Sequence, residues 1–157
     1  MKLVVRDMTP ADRSVYLTLA EEFVHSSAVL HAVPLSLLEQ NFNHLLRESV
    51  FCRGLLLESD SVPCGYALLS FSYSTEVAGK VVWIEELYLS PEYRGQGIGR
   101  AFFRWLFSEY ENVVKRFRLE TTLQNCRARK LYRQFGFEDL EYRQMCLDLP
   151  KEKEDEQ

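Results

Sequence analysis

The chain has 157 residues, 46% of them hydrophobic and 13% aromatic, with a net charge of −4. That suffices for one domain with a real core. The apolar runs are too short to cross a bilayer, Met1-Lys2-Leu3-Val4-Val5 lacks a signal-peptide stretch, and the acidic balance disfavours nucleic acid. A cytoplasmic protein with neither membrane nor nucleic-acid partner is expected. Cys52, Cys64, Cys126 and Cys146 form no Cys-x-x-Cys pair and have no His-rich neighbourhood. They read as small apolar fillers, with no metal site and no disulfide framework.

In chain order, Leu3 to Arg6 predicts a first strand, and Thr9-Pro10-Ala11-Asp12 starts a helix with Thr9 as its cap and Pro10 in its first turn. Ser36-Leu37-Leu38-Glu39 has capping-box spacing and opens a helix whose Leu38, Phe42, Leu45 and Leu46 share a side. The runs Phe51 to Glu58 and Gly65 to Tyr73, separated by the turn cluster Ser59 to Pro63, predict an antiparallel hairpin. Val81 to Leu89 predicts a long fourth strand, and Arg100 to Leu106 a helix. Arg116 to Thr122 predicts a strand, Asn125 caps the next helix and Gly136 ends it. Gln144 to Leu149 predicts a closing strand. Residues 1–150 then form the domain, and 151–157, with two Lys and four acids and nothing apolar, form an acidic tail expected to be disordered. His25, His31 and His44 have no ligand spacing and read as surface residues.

Between the fourth strand and the helix lies Tyr93-Arg94-Gly95-Gln96-Gly97-Ile98-Gly99. A glycine-rich loop opening a helix builds an anion hole, because the chain approaches closely and the first helical N–H groups are unpaired. A nucleoside-triphosphate loop would need Gly-Lys-Ser/Thr, and Gly99 is followed by Arg100-Ala101. The glycine spacing also departs from the dinucleotide fingerprint, although Glu120 lies at about the distance of a ribose partner, so a dinucleotide oxidoreductase stays a distant alternative. From Arg94 to Arg133 ten Lys or Arg face three acids, a balance of +7 that leaves −11 elsewhere. Such a window suits a polyanionic cofactor, or is simply a solvated helix face.

Arg94-x-x-Gly97-x-Gly99 resembles the pyrophosphate loop of the GCN5-related N-acetyltransferases, the GNAT superfamily. Asn125-x-x-Ala128-x-x-Leu131-Tyr132-x-x-x-Gly136-Phe137 resembles that superfamily's second signature. Ile84-Glu85-Glu86-Leu87-Tyr88 is similar to the fourth strand of its spermidine/spermine and thialysine acetyltransferases. The resemblance implies an α/β (α+β) fold, a central, mixed, mostly antiparallel twisted sheet of six to seven strands flanked by about four helices. It implies transfer of the acetyl group of acetyl-CoA to a primary amine, either a small cationic amine (polyamine or lysine-like) or a protein amine. A homodimer is common among relatives.

Residue by residue, the resemblance places acetyl-CoA against Leu87, Tyr88 and Leu89, against Arg94, Gly95, Gln96, Gly97, Ile98, Gly99 and Arg100, and against Asn125 and Arg129. Backbone N–H groups near Leu87 and Leu89 would face the carbonyl oxygen as it gains charge. Glu85 would deprotonate the amine through water, because a lysine-like amine is almost all ammonium at neutral pH, and Tyr132 would protonate the leaving thiolate. Strict alternation puts Trp83, Glu85, Leu87 and Leu89 on one face and Ile84, Glu86 and Tyr88 on the other unless a bulge intervenes, so Glu86 stays an alternative base. Tyr132 also fits an apolar stripe with Ala128, Leu131 and Phe135, the pattern of a packing residue. A silent acyl-CoA sensor on the same fold is the alternative function. The segment from Phe23 to Leu35 would shape the acceptor pocket.

Overall fold

The sheet grows from a tight hairpin. Asp60 and Ser61 both take positive φ, 50° and 68°, the two-residue turn whose twist matches that of paired strands. It joins β2 (Cys52–Ser59) to β3 (Val62–Ser74), with Ser59 opposite Val62. The computed structural model describes residues 2–26, 28–31, 33–47 and 50–149. In it β1 (Leu3–Asp7) pairs with β2, and β4 (Gly79–Leu89) with β3, all antiparallel. The short β5 (Arg116–Leu119) adds to β4 in parallel, giving the order β1-β2-β3-β4-β5.

Alternation along β2 and β3 sorts the core into two layers. Leu56, Tyr66 and Leu68 point to one face with Tyr88, where α1 (Arg13–Val24) and α2 (Leu35–Leu45) bring Tyr16, Leu19, Leu38 and Phe42. Leu55, Leu57, Ala67, Leu69, Val82 and Ile84 point to the other, under Phe102, Phe103 and Leu106 of α3 (Ile98–Glu109). Phe103 is fully buried and its ring meets those of Tyr132, Phe135 and Phe137 at 5.7, 5.2 and 5.8 Å. That contact seats α4 (Cys126–Gln134) on α3.

Several expectations need correction. Thr9 is the N-cap and Pro10 stands in the first turn, as expected, but the element they open is a 3₁₀ turn (Pro10–Asp12) that leads into α1. The Asp12 carboxylate accepts from the Thr9 N–H (2.7 Å) and hydroxyl (2.8 Å), and the Arg6 guanidinium beside it holds its pKa well below the usual range. The second helix starts at Leu35 with Pro34 at its cap, so Ser36 is an ordinary helical residue and Glu39 reaches Arg13 instead of back to the cap. Only Cys64 of the four cysteines is buried; Cys126 and Cys146 are exposed.

The described sheet has five strands, fewer than the six to seven expected, because the stretch from Gln144 to Leu149 is not a strand. Its Met145, Leu147 and Leu149, which gave it a strand's alternation, are exposed at 97, 86 and 81% and pack on no surface among the described residues. Side-chain contacts of Tyr142 with Glu76 and of Gln144 with Glu120 tie this stretch down. The expected acidic tail, 151–157, lies outside the described residues. Among the described residues no helix is long and apolar enough to cross a membrane.

Truncating Phe103 to Ala empties the contact that holds α4, at a cost of about 3–5 kcal/mol. Urea unfolding should register that loss, and one below about 1 kcal/mol would mean that α4 is seated by something else.

Candidate active site

The site begins with a defect in β4. Leu68 of β3 faces Glu86 while the next residue, Leu69, faces Ile84, so Glu85 is an extra residue, a β-bulge. The bulge resets the alternation. Before it Val82 and Ile84 face α3; after it Leu87 and Leu89 do so, and Glu86 and Tyr88 turn to the α1 side. The two-face assignment expected from strict alternation is therefore overturned: Leu87 and Leu89 join Ile84.

A bulge also bends its strand, and here the neighbour is lost at that point. β5 pairs with β4 from Val81 to Ile84 and stops at Leu119, short of the Thr122 expected. Beyond Ile84 one side of β4 is open. The Ser90 N–H bonds Cys64 O on β3 at 3.0 Å, so the alternate residues Leu87 and Leu89 turn their N–H and C=O groups the other way. On that side Leu89 O accepts from Arg94 Nε at 2.8 Å.

Into this opening comes the glycine loop. Gly97 has φ +87° and caps α3, and a Cβ built there would meet nothing within 4 Å. Gly99 already lies inside α3, where the Leu131 side chain of α4 comes within 3.0 Å of where a Cβ would stand. On the far wall the Asn125 side chain accepts from the Ala128 N–H at 3.4 Å, starting α4. Its end is a left-handed Gly136 (φ +84°), with Gly136 N–H bonded to Arg133 O and Phe137 N–H to Tyr132 O, both at 3.1 Å. This capping motif turns Phe137 back onto Phe103 and fixes Tyr132 beside it.

A cavity of about 430 Å³ lies between these walls. Leu87, Tyr88, Leu89, Arg94, Gly95, Gly97, Gly99, Arg100, Asn125 and Tyr132, all named from the resemblance, line it together. Gln96 does not, and its amide turns back to Glu92 O. Ile98 is a core side chain, 2% exposed. Arg129 faces a neighbouring depression with Lys130 and Arg133, and pairs with Asp139 at 3.0 Å. Arg127 and Lys130 line the cavity with Leu131 and Gln134. These four recur at three, four and seven residues on α4, a spacing that marks one helix face. Phe23, Ser26 and Ala28 form the α1 wall, within the segment expected to shape the acceptor pocket.

The titratable groups divide by environment. Burial raises the Tyr132 pKa, so its hydroxyl stays protonated, and it makes no hydrogen bond among the described residues. Glu85 is exposed, does not line the cavity, and accepts a hydrogen bond from the Ser70 hydroxyl. Glu86 lies behind it, taking the Tyr66 hydroxyl at 2.5 Å, and desolvation raises its pKa against that bond, with the Glu85 charge adding to the rise. The nearby Tyr16 hydroxyl is buried and has no hydrogen-bond partner among the described residues. Among the described residues no group of three His, Cys, Asp or Glu could hold a metal ion.

A family model described as "Acetyltransferase (GNAT) family" matches residues 16–137. The chain belongs to that family. Thialysine N-epsilon-acetyltransferase of Bos taurus is 40% identical over 81 residues, 50% of this chain and 47% of the relative. The match thus spans about half the length of that curated relative. A possible acetyltransferase from Clostridium difficile 630 superposes with TM-score 0.80 at 14% identity, covering 96% of this chain and 99% of that one. AAC(6')-Iy in complex with the bisubstrate analog CoA-S-monomethyl-acetylneamine gives 0.71 at 17%, covering 93% and 100%. At such identities these two likenesses establish the fold.

The raised Glu86 pKa sets a pH dependence. An acid whose folded pKa lies above its unfolded value, roughly 4.3, contributes stability that is full below that value and lost as pH rises through the folded pKa. Glu86→Gln should therefore flatten the decline in urea midpoint from acid to neutral pH. An unchanged slope in the variant would show that Glu86 stays ionised at no cost.

Proposed function

We propose that the chain is an N-acetyltransferase that moves the acetyl group of acetyl-CoA to a primary amine, probed best with small cationic amines. The observation that carries this is one cavity that holds an anion cradle, open backbone donors and an unengaged phenol. The Gly97 cap and the first N–H groups of α3 suit a pyrophosphate, and Arg94, Arg100, Arg127 and Lys130 supply positive charge around it.

Chemistry follows from the same walls. The amine lone pair attacks the thioester carbonyl carbon, and the oxygen gains charge facing the Leu87 and Leu89 N–H groups. The carbon–sulfur bond then breaks. Before attack Glu85, which the bulge leaves exposed, takes the ammonium proton through water and frees that lone pair; the surplus proton on nitrogen leaves to water after attack, and the departing sulfur takes a proton from the Tyr132 hydroxyl. Tyr132 packs its ring on Phe103 and keeps its hydroxyl free, so the packing role and the acid role coexist.

Gly97→Val forces a branched side chain into the left-handed region, at about 1–2 kcal/mol, and fills the open cradle. Acetyl-CoA should no longer raise the melting temperature of the folded variant; an undiminished rise would place the cofactor elsewhere. Tyr132→Phe deletes the donor and keeps the ring, so turnover should fall about 10²- to 10⁴-fold while acetyl-CoA affinity holds. Equal turnover in the two proteins, measured where chemistry limits the rate, would return Tyr132 to packing alone. The base is tested by turnover with an accepted amine, which Glu85→Gln should lower about 10²- to 10⁴-fold and Glu86→Gln should leave in place.

A further inference from the structure

A regular β4 is the register that competes with the bulged one. If Glu85 were not an extra residue, the pairing before Ile84 would continue, with Glu85 opposite Leu68, Glu86 opposite Ala67 and Tyr88 opposite Gly65. That slip reverses the hydrogen bonding as well. The Ser90 N–H, now bonded to Cys64 O, would turn outward with that of Tyr88, and the Leu87 and Leu89 N–H groups would turn to β3. A slipped strand offers the cavity neither of those two donors.

Either register places a carboxylate opposite Leu68, beside Tyr66, because the two glutamates are consecutive. What differs is where the other one goes. In the bulged strand it is Glu85, exposed and bonded to the Ser70 hydroxyl. In the slipped strand it would be Glu86, turned into the layer of Ala67, Leu69 and Phe102, where an unpartnered carboxylate is costly to bury. The α1 face instead has a donor in place. Tyr66 is fully buried, its ring meets those of Tyr16, Phe23 and Tyr88 at 5.3, 6.3 and 6.2 Å, and its hydroxyl donates to Glu86 at 2.5 Å. A donor so packed holds the strand at one point.

We infer that Glu86, held by Tyr66, is the positioning residue of this site: it takes no part in bond making and fixes β4 in the bulged register that turns the Leu87 and Leu89 N–H groups to the cavity. Its consequence for turnover rests on the acetyltransfer reading. Its hold on the strand does not.

Glu86→Leu removes the penalty against the slip and leaves Tyr66 without this acceptor in the bulged register, a loss that Glu85 makes good only in the slipped one. A leucine is buried among apolar side chains in either register, so the variant should fold. Residue-resolved amide exchange in the ligand-free proteins reads the register. In wild type and in Glu86→Gln, whose amide oxygen still accepts from Tyr66, the Tyr88 and Ser90 amides should be slow and those of Leu87 and Leu89 fast. In Glu86→Leu the two pairs should change places, and turnover should fall about 10²- to 10³-fold, as for loss of an oxyanion donor. A folded Glu86→Leu protein that keeps the wild-type exchange pattern overturns the lock, as does one that unfolds where Glu86→Gln folds. Reversed exchange with undiminished turnover would uphold the lock and defeat instead the reading of Leu87 and Leu89 as oxyanion donors.

Discussion

The insertion of Glu85 into β4 is the constraint on which the rest of the site depends. One extra residue bends the strand, ends its pairing with β5 at Ile84 and Leu119, and swaps the faces of everything that follows. Leu87 and Leu89 gain backbone groups with no strand opposite them, and Tyr88 gains the α1 face and Glu22. Without the bulge, β4 would present Glu86 and Tyr88 to the α3 core. The glycine loop would then open onto a closed sheet.

Packing and chemistry share residues on the opposite wall. The glycine and phenylalanine at the end of α4 form a capping motif that returns Phe137 to Phe103, and the same ring cluster holds Tyr132. A change there alters stability and geometry together, so a variant that keeps the ring and removes only the oxygen separates the two. Charge is divided just as sharply. Arginines and a lysine surround the phosphate-sized cradle, while Phe23, Ser26 and Ala28 on the opposite side carry no charge, which favours a polyanion at the loop end.

Much of this was legible in the sequence, and the failures have physical causes. The glycine loop, the Asn125 cap and the Gly136 stop were readable because each needs a particular residue type at a particular backbone angle or hydrogen bond. Ten of the expected site residues line one cavity for that reason. The face of each residue after Glu85 was not readable, since a bulge depends on the register with β3 and leaves no periodic mark. Arg129 was chosen from a motif, whereas its partner Asp139 lies in a segment without regular structure that no pattern could place. The stretch from Gln144 to Leu149 has a strand's alternation without a strand's partner, and alternation alone does not supply one. Ser36 lost its capping role because Pro34, one residue ahead of the helix, already supplies the extended entry and the first acceptor.

The central claim is that the parted strands present the Leu87 and Leu89 N–H groups to the acetyl carbonyl. Residue-resolved amide hydrogen exchange, with and without acetyl-CoA, tests it most directly. The account predicts that the Leu87 and Leu89 amides exchange readily in the free protein and slow markedly on acetyl-CoA binding, while the Tyr88 and Ser90 amides, turned to β3, are slow in both states. Slow exchange at Leu87 and Leu89 before any ligand is added, or no change there when acetyl-CoA is bound, would contradict it.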